Sequence, residues 1–270
     1  KQSGTTTIAN SSTTVSVTIT GVDMSQSFLV FSSTHNDTSP TNFQIGGEIT
    51  NSTTLSFERT GNTGTVSISW QVFEFEGGVS VQHGSTLNVA RNTNVDVAIN
   101  CIDLTKSFVL VSARKSGAQL GSDDGITANL TSSTNLRLFI QGAAGANMEE
   151  VYWQIVEYQA ATVQKVTGTL AAGSATATST ISPAISNLAK AFVVSNHTIS
   201  GDVNPDDLPR TELTNTTTVT YTRVGTTEAM NFVTYVVEFT DQSSVVRGTQ
   251  NFASTVTSQN VSITAASSSG

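Results

Sequence analysis

The chain has 270 residues, of which 37% are hydrophobic and 12% charged, with a formal net charge of −8. Twelve Lys and Arg side chains on an acidic chain make a poor partner for nucleic acid, where phosphate contacts carry the affinity. No run approaches the roughly 18 consecutive apolar residues of a bilayer-spanning helix, and the single cysteine, Cys101, allows neither an internal disulfide nor a cysteine-based zinc site.

The polar opening from Lys1 reads as that of a mature or trimmed chain, so no signal peptide is expected in it. Val15, Val17 and Ile19 then alternate with Ser16, Thr18 and Thr20, a period of two that sends one face into a core. The same alternation returns at Val66, Ile68, Trp70 and Val72, and at Val95, Val97 and Ile99. Turn formers punctuate these runs at Gly61-Asn62-Thr63-Gly64, at Gly121-Ser122-Asp123-Asp124-Gly125 and over 142–147. No segment of ten or more residues keeps a helical period. Five to seven short strands in every 82 residues or so predict an all-β chain of small antiparallel sandwiches.

Three markers recur in one order at spacings of about 80 to 84 residues, which predicts tandem repeats. The first is Ser27-Phe28-Leu29-Val30, then Ser107-Phe108-Val109-Leu110, then Ala191-Phe192-Val193-Val194. The second is Thr54-Leu55-Ser56-Phe57, then Asn135-Leu136-Arg137-Leu138, then Thr218-Val219-Thr220-Tyr221. The third is Trp70-Gln71-Val72-Phe73-Glu74-Phe75, then Trp153-Gln154-Ile155-Val156-Glu157-Tyr158, then Thr234-Tyr235-Val236-Val237-Glu238-Phe239. Phe28, Trp70, Phe108, Trp153, Phe192 and Tyr235 are the expected core. The expected organisation is three sandwich repeats at 1–84, 85–167 and 168–249. Residues 250–270 then form a terminal strand that completes the third repeat or opens a further unit, since Arg247-Gly248 and Val261-Ser262-Ile263 echo Ser3-Gly4 and Val17-Thr18-Ile19.

The pairing of Ser27-Phe28-Leu29-Val30-Phe31-Ser32 with Trp70-Gln71-Val72-Phe73-Glu74-Phe75 resembles β-sandwich repeats of bacteriophage and other virion-surface proteins. More loosely, it resembles the H-type lectin domain, which also has a hydrophobic early strand and a late strand with tryptophan. The resemblance implies a surface-exposed sandwich module. Its motifs are packing positions, the third repeat carries Thr234 where the tryptophan would stand, and no sugar-contacting residue is carried over.

Few residues point to chemistry. His35, His83 and His197 lack any paired spacing of metal ligands and read as exposed loop histidines. Glu74, Glu157 and Glu238 fall at equivalent strand ends in separate repeats, whereas a glycosidase pair needs two carboxyls within about 10 Å; they read as structural groups that bond backbone or a salt-bridge partner. The loops at about 34–48, 114–126 and 196–211 differ most among the repeats and mark a candidate binding edge, with His35, Asn36, Asp37, Asp123, Asp124, Asp202 and Asp206. Asp202, Asn204, Asp206 and Asp207 place several oxygens close together, a candidate calcium loop that competes with their ordinary use in turns; no other cofactor is expected. Seven Asn-x-Ser/Thr sequons arise in a chain that is about 29% Ser and Thr.

The expectation is a non-enzymatic structural or decorative protein of an extracellular surface, a virion capsid or tail component or a cell-surface appendage. Its partners are copies of itself or other surface subunits, with neither nucleic acid nor membrane insertion. A carbohydrate-binding adhesin acting through the variable loops is the alternative.

Overall fold

Thr, Val, Ile and aromatic side chains at alternate positions fit a pleated surface with one face covered, and the described residues use them to build 18 strands. The computed structural model describes residues 1–117, 121–142, 147–201, 207–252, 256 and 258–263. The first six strands are β1 (Gln2–Ile8), β2 (Thr14–Thr18), β3 (Ser27–His35), β4 (Gly46–Asn51), β5 (Thr54–Glu58) and β6 (Val66–Glu74). They pair antiparallel as β1-β6-β3 and β2-β5-β4, two three-stranded sheets face to face. A one-turn helix, α1 (Pro40–Phe43), precedes β4.

The next six are β7 (Val79–Val89), β8 (Val95–Ala98), β9 (Ser107–Lys115), β10 (Ile126–Ser132), β11 (Asn135–Ile140) and β12 (Met148–Tyr158). The last are β13 (Ala161–Leu170), β14 (Thr176–Thr180), β15 (Ala191–Ile199), β16 (Arg210–Asn215), β17 (Thr218–Thr222) and β18 (Met230–Phe239). The pairing order of the first six recurs in both sets, and a bridge between Ile126 and His197 joins β10 to β15 in one six-stranded sheet. The chain is all-β. The boundaries expected after residues 84 and 167 need correction, because they cut β7 and β13. Each of those strands pairs along its length with the last strand of its own set, so the sets part at the turns near Gly77-Gly78 and Gln159-Ala160.

In the first two sets the central strand carries the tryptophan, and a glycine lies opposite it. Gly4 pairs with Trp70 and Gly84 with Trp153. A Cβ on Gly4 would come within 2.6 Å of Trp70 Cζ2, and one on Gly84 would overlap Trp153 Cζ2. The third set solves the same space differently. Thr234 replaces the indole, and Tyr221 and Phe232 stack at 4.1 Å in the space beside it, with the Tyr221 hydroxyl 3.1 Å from Thr234 Oγ1.

The three sets interlock. Strand β4 packs on β9 and β12, and β10 packs on β15 and β18. At the free edge of β3, the buried Gln154 amide acts as a neighbouring strand would. Its Oε1 accepts from Leu29 N at 2.7 Å and its Nε2 donates to Leu29 O at 2.9 Å. Tyr235 does the equivalent work on β10, where its hydroxyl accepts from Leu130 N at 2.9 Å and donates to Ala128 O at 3.0 Å. Tyr235→Phe is expected to cost about 1–2 kcal/mol, because it leaves a buried N–H and a buried carbonyl without a partner; urea unfolding measures it.

Of the expected core, Trp70, Phe108, Trp153 and Tyr235 are buried. Phe28 and Phe192 need a correction: they are half-buried and lie between sets. A chain of rings runs Phe28–Phe75 (6.1 Å), Phe75–Tyr158 (5.5 Å), Tyr158–Phe239 (5.6 Å), Phe239–Phe192 (5.6 Å) and Phe192–Phe108 (6.0 Å). Each set contributes two aromatics, so these residues weld the sets rather than fill one sandwich. After Phe239 no strand forms among the described residues.

Candidate functional site

Strands β3, β9 and β15 each begin at the aromatic chain, through Phe28, Phe108 and Phe192. The far ends of β3 and β15 and the middle of β9 meet at a cleft of 560 Å³ lined by all three sets. His35, Asp37 and Phe43 come from the first set, Val111, Asp124 and Ile126 from the second, and Asn196, His197, Asp207 and Met230 from the third. Described residues of the three variable loops named from sequence therefore converge in space.

The individual residues take distinct roles. His35 ends β3, exposed, with its ring stacked on Phe43 at 4.1 Å and Nδ1 2.6 Å from Asp37 O. Asp37 accepts from Ser39 N at 2.7 Å, and that backbone bond, with help from Asn42, holds its carboxyl below the usual carboxylate range. Asn36 is spent on the backbone, where its Oδ1 accepts from Thr65 N at 2.8 Å.

Asp123 and Asp124 do not belong to an exposed edge. They close on Lys115, whose Nζ lies 3.0 Å from Asp123 Oδ1 and 2.9 Å from Asp124 Oδ1, with Lys115 itself 1% exposed. Burial raises the Asp124 carboxyl, and the Lys115 ammonium offsets part of that rise. A short 3-10 turn at Ser122–Asp124, closed by Gly121 N donating to Asp124 Oδ2, presents both carboxylates to the lysine.

The histidines are not all loop residues. His83 lies in β7, half-buried, with Nε2 2.9 Å from Met24 O. His197 lies within β15 against Phe232 at 5.7 Å, and burial pushes its imidazole down to about 4. A histidine whose charged form is disfavoured in the fold stabilises fully above its unfolded value near 6.5 and loses that contribution as pH falls towards 4. The expected loss is about 2–3 kcal/mol over that window. Burial lowers His83 in the same direction, so the readout is the difference in urea midpoints between the native chain and His197→Gln at pH 7.5 and 4.5.

Glu74, Glu157 and Glu238 bond backbone, as one of the two sequence readings has it. They accept from Asp23 N (2.8 Å), Asp103 N (3.3 Å), and Ser186 and Asn187 N (2.7 and 2.8 Å), fixing the short turn before β3, β9 and β15.

Of the calcium candidates, Asp202, Asn204 and Asp206 lie outside the described residues, as do Asp202 and Asp206 as members of the binding edge; Asp207 is buried beside the cleft. Among the described residues no group of three or more His, Cys, Asp or Glu side chains is gathered to hold a metal.

Sequence reasoning passed over Phe43, Gln44, Asn196 and Met230, which line the cleft. The available signal was the consecutive apolar run in each of the three strands, Phe28–Phe31, Phe108–Val111 and Phe192–Val194. Such runs are expected of strands covered on both faces, and of the three it is β3 that keeps one apolar position open, Val30 at 42%. No known protein-family model matches the chain, and no curated protein sequence matches it. No helix among the described residues is long and apolar enough to cross a membrane.

Proposed function

We propose that the chain is a non-enzymatic structural or decorative protein of an extracellular or virion surface, and that it assembles with copies of itself or with other surface subunits. The observation that carries this reading is the use made of its polar and aromatic groups. The repeated glutamates brace turns, Lys115 and its two aspartates close a buried cluster, and six aromatics and two side-chain strand mimics join the sets. Chemistry-bearing residues are thereby spent on rigidity, which suits a load-carrying module. Light scattering behind size-exclusion chromatography, with negative-stain images of the same fractions, tests it. Closed rings, trimers or filaments agree; a monomer at every concentration overturns assembly with copies of itself.

The cleft supports a second reading, a glycan-binding module. His35 on Phe43 offers a flat apolar face beside the Asp37 carboxylate, the pairing a sugar ring uses. Against it, both tryptophans and Tyr152, Tyr221 and Tyr235 are buried, and Tyr158 is half-buried in the aromatic chain. A glycan array repeated with Phe43→Ala separates the two readings.

A further inference from the structure

The segment after β18 has the sequence of two strands, and its described apolar residues have the exposure of none. Aligned without a gap on residues 2–20, it places Gly248 on Gly4, Thr249 on Thr5, Phe252 on Ile8, Val261 on Val17 and Ile263 on Ile19. In the first set Gly4, Thr5 and Ile8 lie in β1, Val17 lies in β2 and Ile19 follows it directly; Ile8 is 0% exposed and Ile19 7%. Their counterparts lie open, Phe252 at 59% and Ile263 at 75%. Apolar side chains spaced for a sheet and left to water call for a partner edge.

The start of this segment already follows the course of a first strand. Val245 N donates to Ala189 O at 2.7 Å, as Val163 N in β13 donates to Thr105 O at 2.7 Å. Arg247 Nη1 donates to Leu213 O at 2.7 Å, as Lys165 Nζ donates to Leu130 O at 2.6 Å. Residues 245–247 thus leave the third set as β13 leaves the second, and a sandwich seated there would continue the array.

Gly248 says what kind of sandwich fits. Glycine opposite the central strand is required where that strand carries an indole, as at Gly4–Trp70 and Gly84–Trp153. Opposite Thr234, which has no indole, the chain has Val166. The segment is therefore cut for a tryptophan-bearing set, and of the two the first fits it without a gap, since the same alignment on the second would put Phe252 on the polar Asn88. We propose that residues 245–252 and 258–263 add to β6 and β5 of a second copy in place of that copy's β1 and β2. Donor and acceptor are different surfaces, so copies join head to tail into an open chain. This inference rests on the self-assembly reading above and names its joint.

Full-length protein carrying Cys101→Ser, Ser69→Cys and Thr249→Cys tests it. Thr5 pairs with Ser69 in the native sheet, so exchange sets position 249 of one copy opposite position 69 of another, within disulfide reach. A ladder of disulfide-linked oligomers is expected on non-reducing gels. Adding Gly248→Val should cut the linked fraction by about tenfold or more, since its side chain meets Trp70. Gly248 lies outside all three cores, so the melting temperature of the monomer should not change. A linked monomer alone would overturn the inference, because the segment would then fold onto its own chain. Assembly that persists after deletion of 245–270 would overturn it and leave the self-assembly reading standing. A chain monomeric throughout would overturn both.

Discussion

Alanine at Trp153 is expected to lower stability by about 3–5 kcal/mol, the range for truncating a large aromatic in a packed core. The indole is buried, lies over Gly84 on β7 and donates from Nε1 to Thr86 Oγ1 at 3.3 Å. Its cluster also includes Tyr235 and Val237 of the third set, so the lost volume is felt across two sets. Gly84→Ala attacks the same contact from the other side, because its Cβ would overlap the indole. Since both changes act on one contact, their costs should not add. Chemical denaturation of the two single variants and the double variant measures this. A double variant costing the plain sum of the singles would refute a shared contact, and a Trp153→Ala midpoint equal to that of the native chain would remove the core assignment.

The period-two alternation made the all-β class legible, since strand periodicity is a local property that single segments such as Val66–Val72 display without help. A structural role for Glu74, Glu157 and Glu238 was legible for a similar reason: equivalent residues at equivalent strand ends point to a shared local contact, though not to whether the partner is backbone or a cation. The meeting of β3, β9 and β15 was harder to see. Its cause is packing between segments about 80 residues apart, and no local pattern says which faces meet. The double-sided apolar runs were the trace it left. Asp123 and Asp124 were read as surface ligands because acidic loop residues normally face water. Their partner Lys115 sits at the end of the preceding strand, and only the return of the loop brings the three together. In a chain with 12 basic residues, a lysine closing an apolar strand eight positions before an Asp-Asp pair was a usable clue.

That cluster carries the second large effect. Lys115→Met is expected to destabilise by about 3–5 kcal/mol at pH 7, because removing one partner leaves two carboxylates buried without their counter-charge. The loss should depend on pH in a defined direction. Burial already raises the Asp124 carboxyl with the lysine in place, and without Lys115 it should rise further. A carboxyl raised in the folded state favours folding at pH values below its unfolded value of about 4 and loses that advantage as pH climbs through its folded value. The variant should therefore recover stability as pH falls from 7 towards 4, over the range in which the His197 contribution weakens both proteins. Comparing the variant with the native chain at each pH removes the histidine term. Adding Asp123→Asn and Asp124→Asn to Lys115→Met takes away the stranded charges and should restore part of the loss at pH 7. If the triple variant is no more stable than Lys115→Met alone, the charge account fails and the lysine acts through its packed stem. If the His35–Phe43 stack also survives the triple change, the cluster serves the fold of the second set and not the cleft it borders.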